Sequence, residues 1–195
     1  MDWAVAAGDI FLVVAVAGLT LAPVAGAAGA WRHVGRPAIV CATTVFLVTL
    51  ALLIVSWRQI PGGIVAAASA HAALLVAVAA MTQLGRIIRL ASHDPLLAGL
   101  AGLLFSVALT IGPFVLGPLM SNVPLSAFTW MLFANPLVTV STAAGIDLLH
   151  LDLIYRLSPL AHRGVALPAW TTACSGYAVL GLAAYGASHP RLRSA

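Results

Sequence analysis

The residues of this chain best suited to chemistry are its six histidines, His33, His71, His93, His150, His162 and His189. An imidazole can hold haem or a metal, or relay a proton near neutral pH. Five of the six fall in polar stretches or at the ends of apolar ones, where a solvated ring costs little. His71 alone lies in the middle of an apolar run, between Ala70 and Ala72. An ionisable side chain at membrane depth marks a functional position, so His71 is the candidate intramembrane polar residue, suited to a proton relay or to a haem or quinone. A bis-histidine haem needs a second histidine at the same depth on another span. The sequence supplies none, and no cofactor is assigned.

Asp147, His150 and Asp152 form the second cluster. On a helix Asp147 and His150 share a face at i, i+3, while Asp152 points elsewhere. That is fewer ligands than a zinc site takes. A wet interfacial segment accounts for the trio, and no metal site is assigned. Cys41 and Cys174 make no CxxC pair and lie in apolar stretches, as inert buried thiols do. All nine basic residues are arginine, and lysine and glutamate are absent. A P-loop and a Schiff base both need lysine, so this chain is not an ATPase by itself. No nucleophile–base or carboxylate pair falls in a pocket-forming context, and the chain reads as a non-enzyme. The net charge of +4 comes from scattered arginines without interleaved aromatics, which excludes a nucleic-acid partner.

The elements that must position these residues are apolar helices. Hydrophobic residues make up 62% of the chain and charged ones 7%, against about 25% charged in a soluble domain. The lipid bilayer is therefore the first partner, since charge is costly in hydrocarbon and collects at its edges. Apolar runs over residues 10–30, 37–57, 64–84, 96–119 and 166–188 each approach the roughly 20 residues that cross a bilayer core. Trp31, Trp57, Trp130 and Trp170 sit near the expected interfaces. Residues 121–146 carry no charge but are interrupted by Pro124 and by Asn135-Pro136. Proline removes a backbone donor and disfavours helix in the residue before it. This stretch is therefore expected to form a pair of short re-entrant or interfacial helices, with a sixth span as the alternative.

The expected fold is all-α, a polytopic transmembrane helical bundle forming one domain over residues 1–195, with five spans plus the re-entrant segment. Arginines divide six against three across the membrane with five spans or with six. Both arrangements put the N-terminus outside and the loops at 32–36 and 86–94 in the cytoplasm. Arg32, Arg36, Arg86 and Arg89 then form a candidate cytoplasmic docking surface. The alanine- and arginine-rich composition is that of a GC-rich bacterial gene, so the bacterial inner membrane is the expected location.

Gly112-Pro113 and Gly117-Pro118 place two helix breaks in the fourth span. Together with Asn135 and Pro136 they are the candidate gating or hinge residues, because broken helices suit a pathway or a hinge. Ala22, Gly26 and Ala30, spaced by four, allow close helix packing and a homo-oligomer.

A longer pattern covers roughly residues 64–190. His71-Ala-Ala-Leu-Leu opens an alanine-rich span, and a short arginine-containing turn follows. The next span ends in Gly-Pro-Phe-Val-Leu-Gly-Pro-Leu. Ala134-Asn135-Pro136-Leu137, an irregular amphipathic stretch and a last span with a basic tail complete it. This order resembles the permease subunits of type-2 ABC exporters. The resemblance implies that residues 121–166 form an outer, partly re-entrant segment, with five spans and the C-terminus inside. It would put the loop at 31–36 where the family's coupling element meets the ATPase. Those permeases have six spans preceded by a cytoplasmic docking helix, one span and that helix more than are read here. The expected function is thus a permease-like subunit of a multi-component exporter, energised by a separate nucleotide-binding ATPase. The alternatives are a non-transporting structural or assembly subunit among other membrane subunits and, third, a small haem or quinone protein built on His71.

Overall fold

The computed structural model describes residues 3–29, 63–92, 94–115, 124–151 and 169–188, with positions 47, 50, 51 and 167 besides. The expected second span at 37–57 lies outside the described residues, apart from Leu47, Leu50 and Ala51. Among the described residues the chain is all-helical, with no strand.

α1 runs over Trp3–Gly29 and α2 over Gly63–Ser92. At 27 and 30 residues they are about 40 and 45 Å long, at roughly 1.5 Å per residue. Both are long and apolar enough to cross a membrane. α1 begins seven residues before the expected 10–30, and the backbone stays helical through Asp9. α2 continues past the expected Leu84 into the segment with Arg86 and Arg89.

Asp94 then starts α3, Pro95–Thr110. Its carboxylate accepts from the N–H groups of Leu96 (2.8 Å) and Leu97 (3.4 Å), while Pro95 occupies a first-turn position where no donor is needed. α3 is interrupted after Thr110, at the Gly112-Pro113 break expected within the 96–119 span, and residues 116–119 lie outside the described residues. The reason is local: Pro113 lacks an N–H and restricts Gly112, so the regular ladder is interrupted before helix resumes in α4 (Gly112–Val115).

The uncharged stretch at 121–146 is two short helices, α5 (Leu125–Phe133) and α6 (Pro136–Ala143). At nine and eight residues, neither reaches the roughly 20 needed to span a bilayer core. α6 ends at Gly145, whose φ of +70° lets the Ile146 N–H turn back to the Ser141 carbonyl at 2.9 Å. A single 3₁₀ turn, Leu148–His150, follows. The last helix, α7 (Trp170–Ser188), starts four residues later than expected and has 19 residues.

α1 packs along both α2 and α3, and α2 also packs along α7. Gly102 of α3 meets Pro23, and Ser106, one turn on, meets Leu19, so α3 runs antiparallel to α1. The short turn at Asp94 folds α3 back on α2, so α1 and α2 are parallel. α7 runs in the same sense as α2. Its Trp170 and Cys174 lie against the core cluster holding Ala70, Ala73 and Ala77, and its Gly181 lies against Ala80. α6 sits among α1, α2, α3 and α7, with seven of its eight residues buried.

The buried core mixes large apolar side chains, among them Phe128, Leu19, Leu74 and Leu132, with small and hydroxyl-bearing ones, while further large apolar side chains face outward. Ala15, Ala67, Ala73, Ala77 and Ala98 are fully buried, as are the polar Ser106, Thr110, Asn135, Thr139 and Ser141. Leu96 is 83% exposed, and Val65, Leu182 and Trp130 are exposed almost as fully. Small residues inside allow close backbone approach, and large apolar residues outside form a surface suited to hydrocarbon.

Candidate functional site at the meeting of two broken helices

Pro23 lies inside α1 and has no N–H to give the carbonyl four residues back, that of Leu19. An orphaned buried carbonyl is costly. Here Ser106 of α3 donates its hydroxyl to the Leu19 carbonyl at 2.7 Å. The Thr110 hydroxyl donates to the Ser106 carbonyl at 2.6 Å, and the Thr110 carbonyl accepts from Asn135 Nδ2 at 2.9 Å. Asn135 Oδ1 in turn accepts from the N–H groups of Leu137 (2.8 Å) and Val138 (3.2 Å), opening α6. Using Val138 in this way leaves the Ala134 carbonyl without its helical donor. The Tyr177 hydroxyl of α7 donates to it instead.

A continuous hydrogen-bonded path therefore runs from α1 through α3 to the Ala134–Asn135 joint and on to α7. Ser106, Thr110 and Asn135 on this path are all fully buried. Ser106 is level with Leu19 and Thr110 lies one turn further on, near the middle of the 27-residue α1. The end of α3 and the α5–α6 break thus meet at mid-depth in the bundle. Irregular backbone is tolerated at such depth only where protein or trapped water covers it.

On one side of this joint, a cavity of about 690 Å³ lies between α2, α3 and α7. α3 and α7 both flank α2 but are held apart from each other. Phe133, Ala134 and Tyr177 line the groove beside the joint, and on α7 its lining runs from Ala173 to Ala187. Its walls are hydrocarbon and aromatic, from Met81 and Leu84 on α2, Phe105 and Leu109 on α3, and Leu180 on α7.

Of the candidate hinge residues, the structure brings Gly112 and Pro113 to the end of α3 and Asn135 and Pro136 to the joint it meets. Pro113 and Pro136 are buried, and a Cβ added at Gly112 would meet nothing within 4 Å. Gly117 and Pro118 lie outside the described residues, as do Arg32 and Arg36. Arg86 and Arg89 ride on the last turns of α2. The Arg86 guanidinium donates to Gln83 Oε1 at 3.3 Å, and Arg89 Nε is buried without a hydrogen-bond partner among the described residues. His71 is buried on the core face of α2 with Ala70 and Leu74, more than two turns before the groove begins at Ala80. Among the described residues no three or more of His, Cys, Asp and Glu come together as a metal site would require. Asp147 precedes the 3₁₀ turn that ends at His150, and Asp152 lies outside the described residues.

Ser106, Thr110 and Tyr177 escaped the reading of the sequence, because nothing local assigns them partners. Pro23 was the available signal: a proline inside a long apolar helix implies an orphaned carbonyl and a neighbouring hydroxyl to satisfy it. Gly26 packs within the chain. A Cβ there would overlap the Thr82 carbonyl, and one at Gly85 would overlap that of Pro23. This part of the small-residue stripe therefore serves the α1–α2 contact. Comparison with protein-family models, with curated proteins and with solved structures finds no match to this chain.

Proposed function

We propose that the chain is a polytopic inner-membrane protein of a bacterium, and a permease-like subunit of an exporter energised by a separate ATPase. Membrane embedding is supported by two helices long and apolar enough to cross a bilayer and by the many large apolar side chains that face outward, Leu96, Val65, Leu182 and Trp130 among them. Five spans, with α5 and α6 as a re-entrant pair, suit the brevity of those two helices. The shared sense of α1, α2 and α7, opposite to α3, is what first, third and fifth spans require of a bundle whose fourth is α3. Arginine counting then puts the N-terminus outside and Arg86 and Arg89 inside.

The observation that carries the transport reading is the meeting of two interrupted helices at mid-depth beside a groove. Transporters build their pathways at such discontinuities, since a helix end there can shift without breaking a continuous ladder. The chain itself does no covalent chemistry in this reading. Arg32, Arg36, Arg86 and Arg89 provide the cytoplasmic contact with the ATPase.

The test is purification from the native membrane in mild detergent, with mass spectrometry of what accompanies the chain. A nucleotide-binding protein should co-purify and hydrolyse ATP faster with the chain than without it. Arg86→Ala with Arg89→Ala should weaken that association. Detergent-solubilised chain that brings down no nucleotide-binding protein sinks the transport reading. One observation favours a second reading, an assembly subunit: each polar group of the joint is already bonded within the chain. A stable larger complex lacking an ATPase would decide for it.

A further inference from the structure

Arg86 and Arg89 lie in a stretch of sequence that is nearly without acids. Asp94 is the only acid between Asp9 and Asp147, an interval with five arginines, and residues 30–62 contain none. The Asp94 carboxylate is committed to the N–H groups of Leu96 and Leu97 at the start of α3. Asp9, in the second turn of α1, belongs to the opposite end of the bundle, since α1 and α2 are parallel. Arg86 donates to the neutral Gln83, and Arg89 Nε is buried without an acceptor among the described residues. The charge at this end of α2 is left for an anion outside the chain to balance. We infer that the Arg86–Arg89 end of α2 binds the phosphate of an anionic bilayer phospholipid. The inference rests on the membrane reading above and is independent of the transport reading.

Depth selects a lipid phosphate over the carboxylate of a soluble protein. α2 has 30 residues, and its length of about 45 Å exceeds a hydrocarbon core of about 30 Å, so its last turns reach the headgroup layer. Apolar side chains continue outward to the same level. Leu90 on the last turn of α2 and Leu96 and Leu97 on the first turn of α3 are all exposed. Acyl chains that cover those leucines rise as far as the turn, and the arginines beside them then stand at the hydrocarbon edge, where phosphates lie. A soluble protein reaches that level only by displacing the lipid. The donor chemistry agrees with the depth. Arg86 and Arg89 are i, i+3 neighbours, and a guanidinium takes phosphate oxygens in pairs. The unused Nε–H of Arg89 is one arm of such a pair, and an oxyanion there relieves the cost of a buried orphan donor.

The test is a competition between headgroups. The chain, stripped of lipid in detergent, is offered equal amounts of phosphatidylglycerol and phosphatidylcholine with the same acyl chains, and native mass spectrometry counts what binds. Wild type should carry the anionic lipid over the zwitterionic one by about fivefold or more. Arg86→Gln with Arg89→Gln should bring that ratio to about one, with a thermal melt of each variant to establish folding. Arg89→Gln alone should lose at least half of the preference, and it carries the test if the double variant does not fold. Wild type without a preference, or a folded double variant with an undiminished one, overturns the inference while leaving the membrane reading intact. Wild type without a preference whose arginine variants lose a co-purifying protein overturns it in favour of a protein carboxylate. A chain that stays in solution without detergent overturns the membrane reading as well.

Discussion

Around Pro23 the helices α1, α2 and α3 meet backbone to backbone, whereas on the other side of α2 the helix α7 closes on it at Gly181 and stands off along a groove. In the first region Gly26 and Gly85 are placed so that any Cβ would overlap a facing carbonyl, and an added Cβ at Gly102 would lie 2.8 Å from that of Pro23. In the second, Gly176 and Gly186 have nothing within 4 Å of an added Cβ. Glycine thus does opposite jobs on two sides of one helix. At the first it permits contact and leaves no slack. At the second it leaves space, and the order of the region comes from directed hydrogen bonds at the Ala134–Asn135 joint. The close-packed region should therefore be intolerant of volume and the groove region intolerant of lost polar partners.

The sharpest way to break that contrast is to add the same bulk to each region. Gly85→Ala must push α1 off α2 and should cost about 3 kcal/mol or more, at the upper end of overpacking effects. Failure to accumulate monodisperse protein in detergent is the expected result. Gly176→Ala, the matched change on α7, should shift stability by less than about 0.5 kcal/mol. Equal effects in fluorescence-detected melts of the two variants would abolish the distinction.

Next in size is Asn135→Ala. It strips the cap from α6 and leaves the Thr110 carbonyl and two N–H groups buried without this partner. A lost cap costs about 1 kcal/mol and a buried orphan about 1–3 kcal/mol, so a total of about 3 kcal/mol is expected. For a chain of this size that lowers the melting temperature by about 10 °C. Asn135→Asp keeps the acceptor of the cap but loses the donor to Thr110, and should recover about a third of the loss. Full recovery by Asp would remove Thr110 from the joint.

These two regions differ in how far the sequence announces them. The α5–α6 break is written locally: Asn135 can cap a helix and Pro136 suits its first turn, and both work through their own backbone. The presence of α1 and α2 follows as directly from apolar runs, but both helices outrun them, α1 back through Asp9 and α2 on past Arg86 and Arg89. The interruption of α3 was legible as well, since Gly112-Pro113 was read as a break within the fourth span and the helix is interrupted there. Helix resumes over Gly112–Val115, and the residues up to the expected Leu119 lie outside the described ones. The glycine contacts were legible only as a stripe on α1. That Gly26 meets Thr82 and Gly85 meets Pro23 depends on the register between two helices, which spacing along either one does not encode. Tyr177 and Ser106 illustrate the same limit, since each satisfies a carbonyl distant in sequence.

The Ser106–Leu19 bond permits a smaller and more selective test. Ser106→Ala should cost about 1 kcal/mol, in keeping with buried hydrogen bonds between membrane helices. The bond matters because Pro23 withholds an N–H, so the two residues should be coupled. In a Pro23→Ala background the Leu19 carbonyl regains a helical donor, and removing the Ser106 hydroxyl should cost less than about 0.5 kcal/mol. Alanine keeps the Cβ that faces Gly102, so the α1–α3 contact is retained. A double-mutant cycle by reversible unfolding in mixed micelles measures the coupling. Strict additivity would mean that Ser106 stabilises the bundle by another route.

The smallest effect on stability is expected at Gly112, and for that reason it separates structure from motion. No positive φ is required there, and the space around an added Cβ is open within 4 Å. Gly112→Ala should therefore change stability by no more than about 0.5 kcal/mol, the lost backbone freedom of the unfolded chain offsetting any minor strain. If the end of α3 moves against the α5–α6 joint during transport, the same substitution narrows the backbone freedom of the moving segment. Turnover of the ATPase-coupled complex should then fall several-fold at unchanged melting temperature. Fixing the junction from its other side, at Thr110 and Asn135, should slow turnover together with stability, since those residues hold the joint in place. Unchanged turnover and unchanged stability in Gly112→Ala would make the meeting of the two broken helices a static seam, and the bundle an assembly subunit.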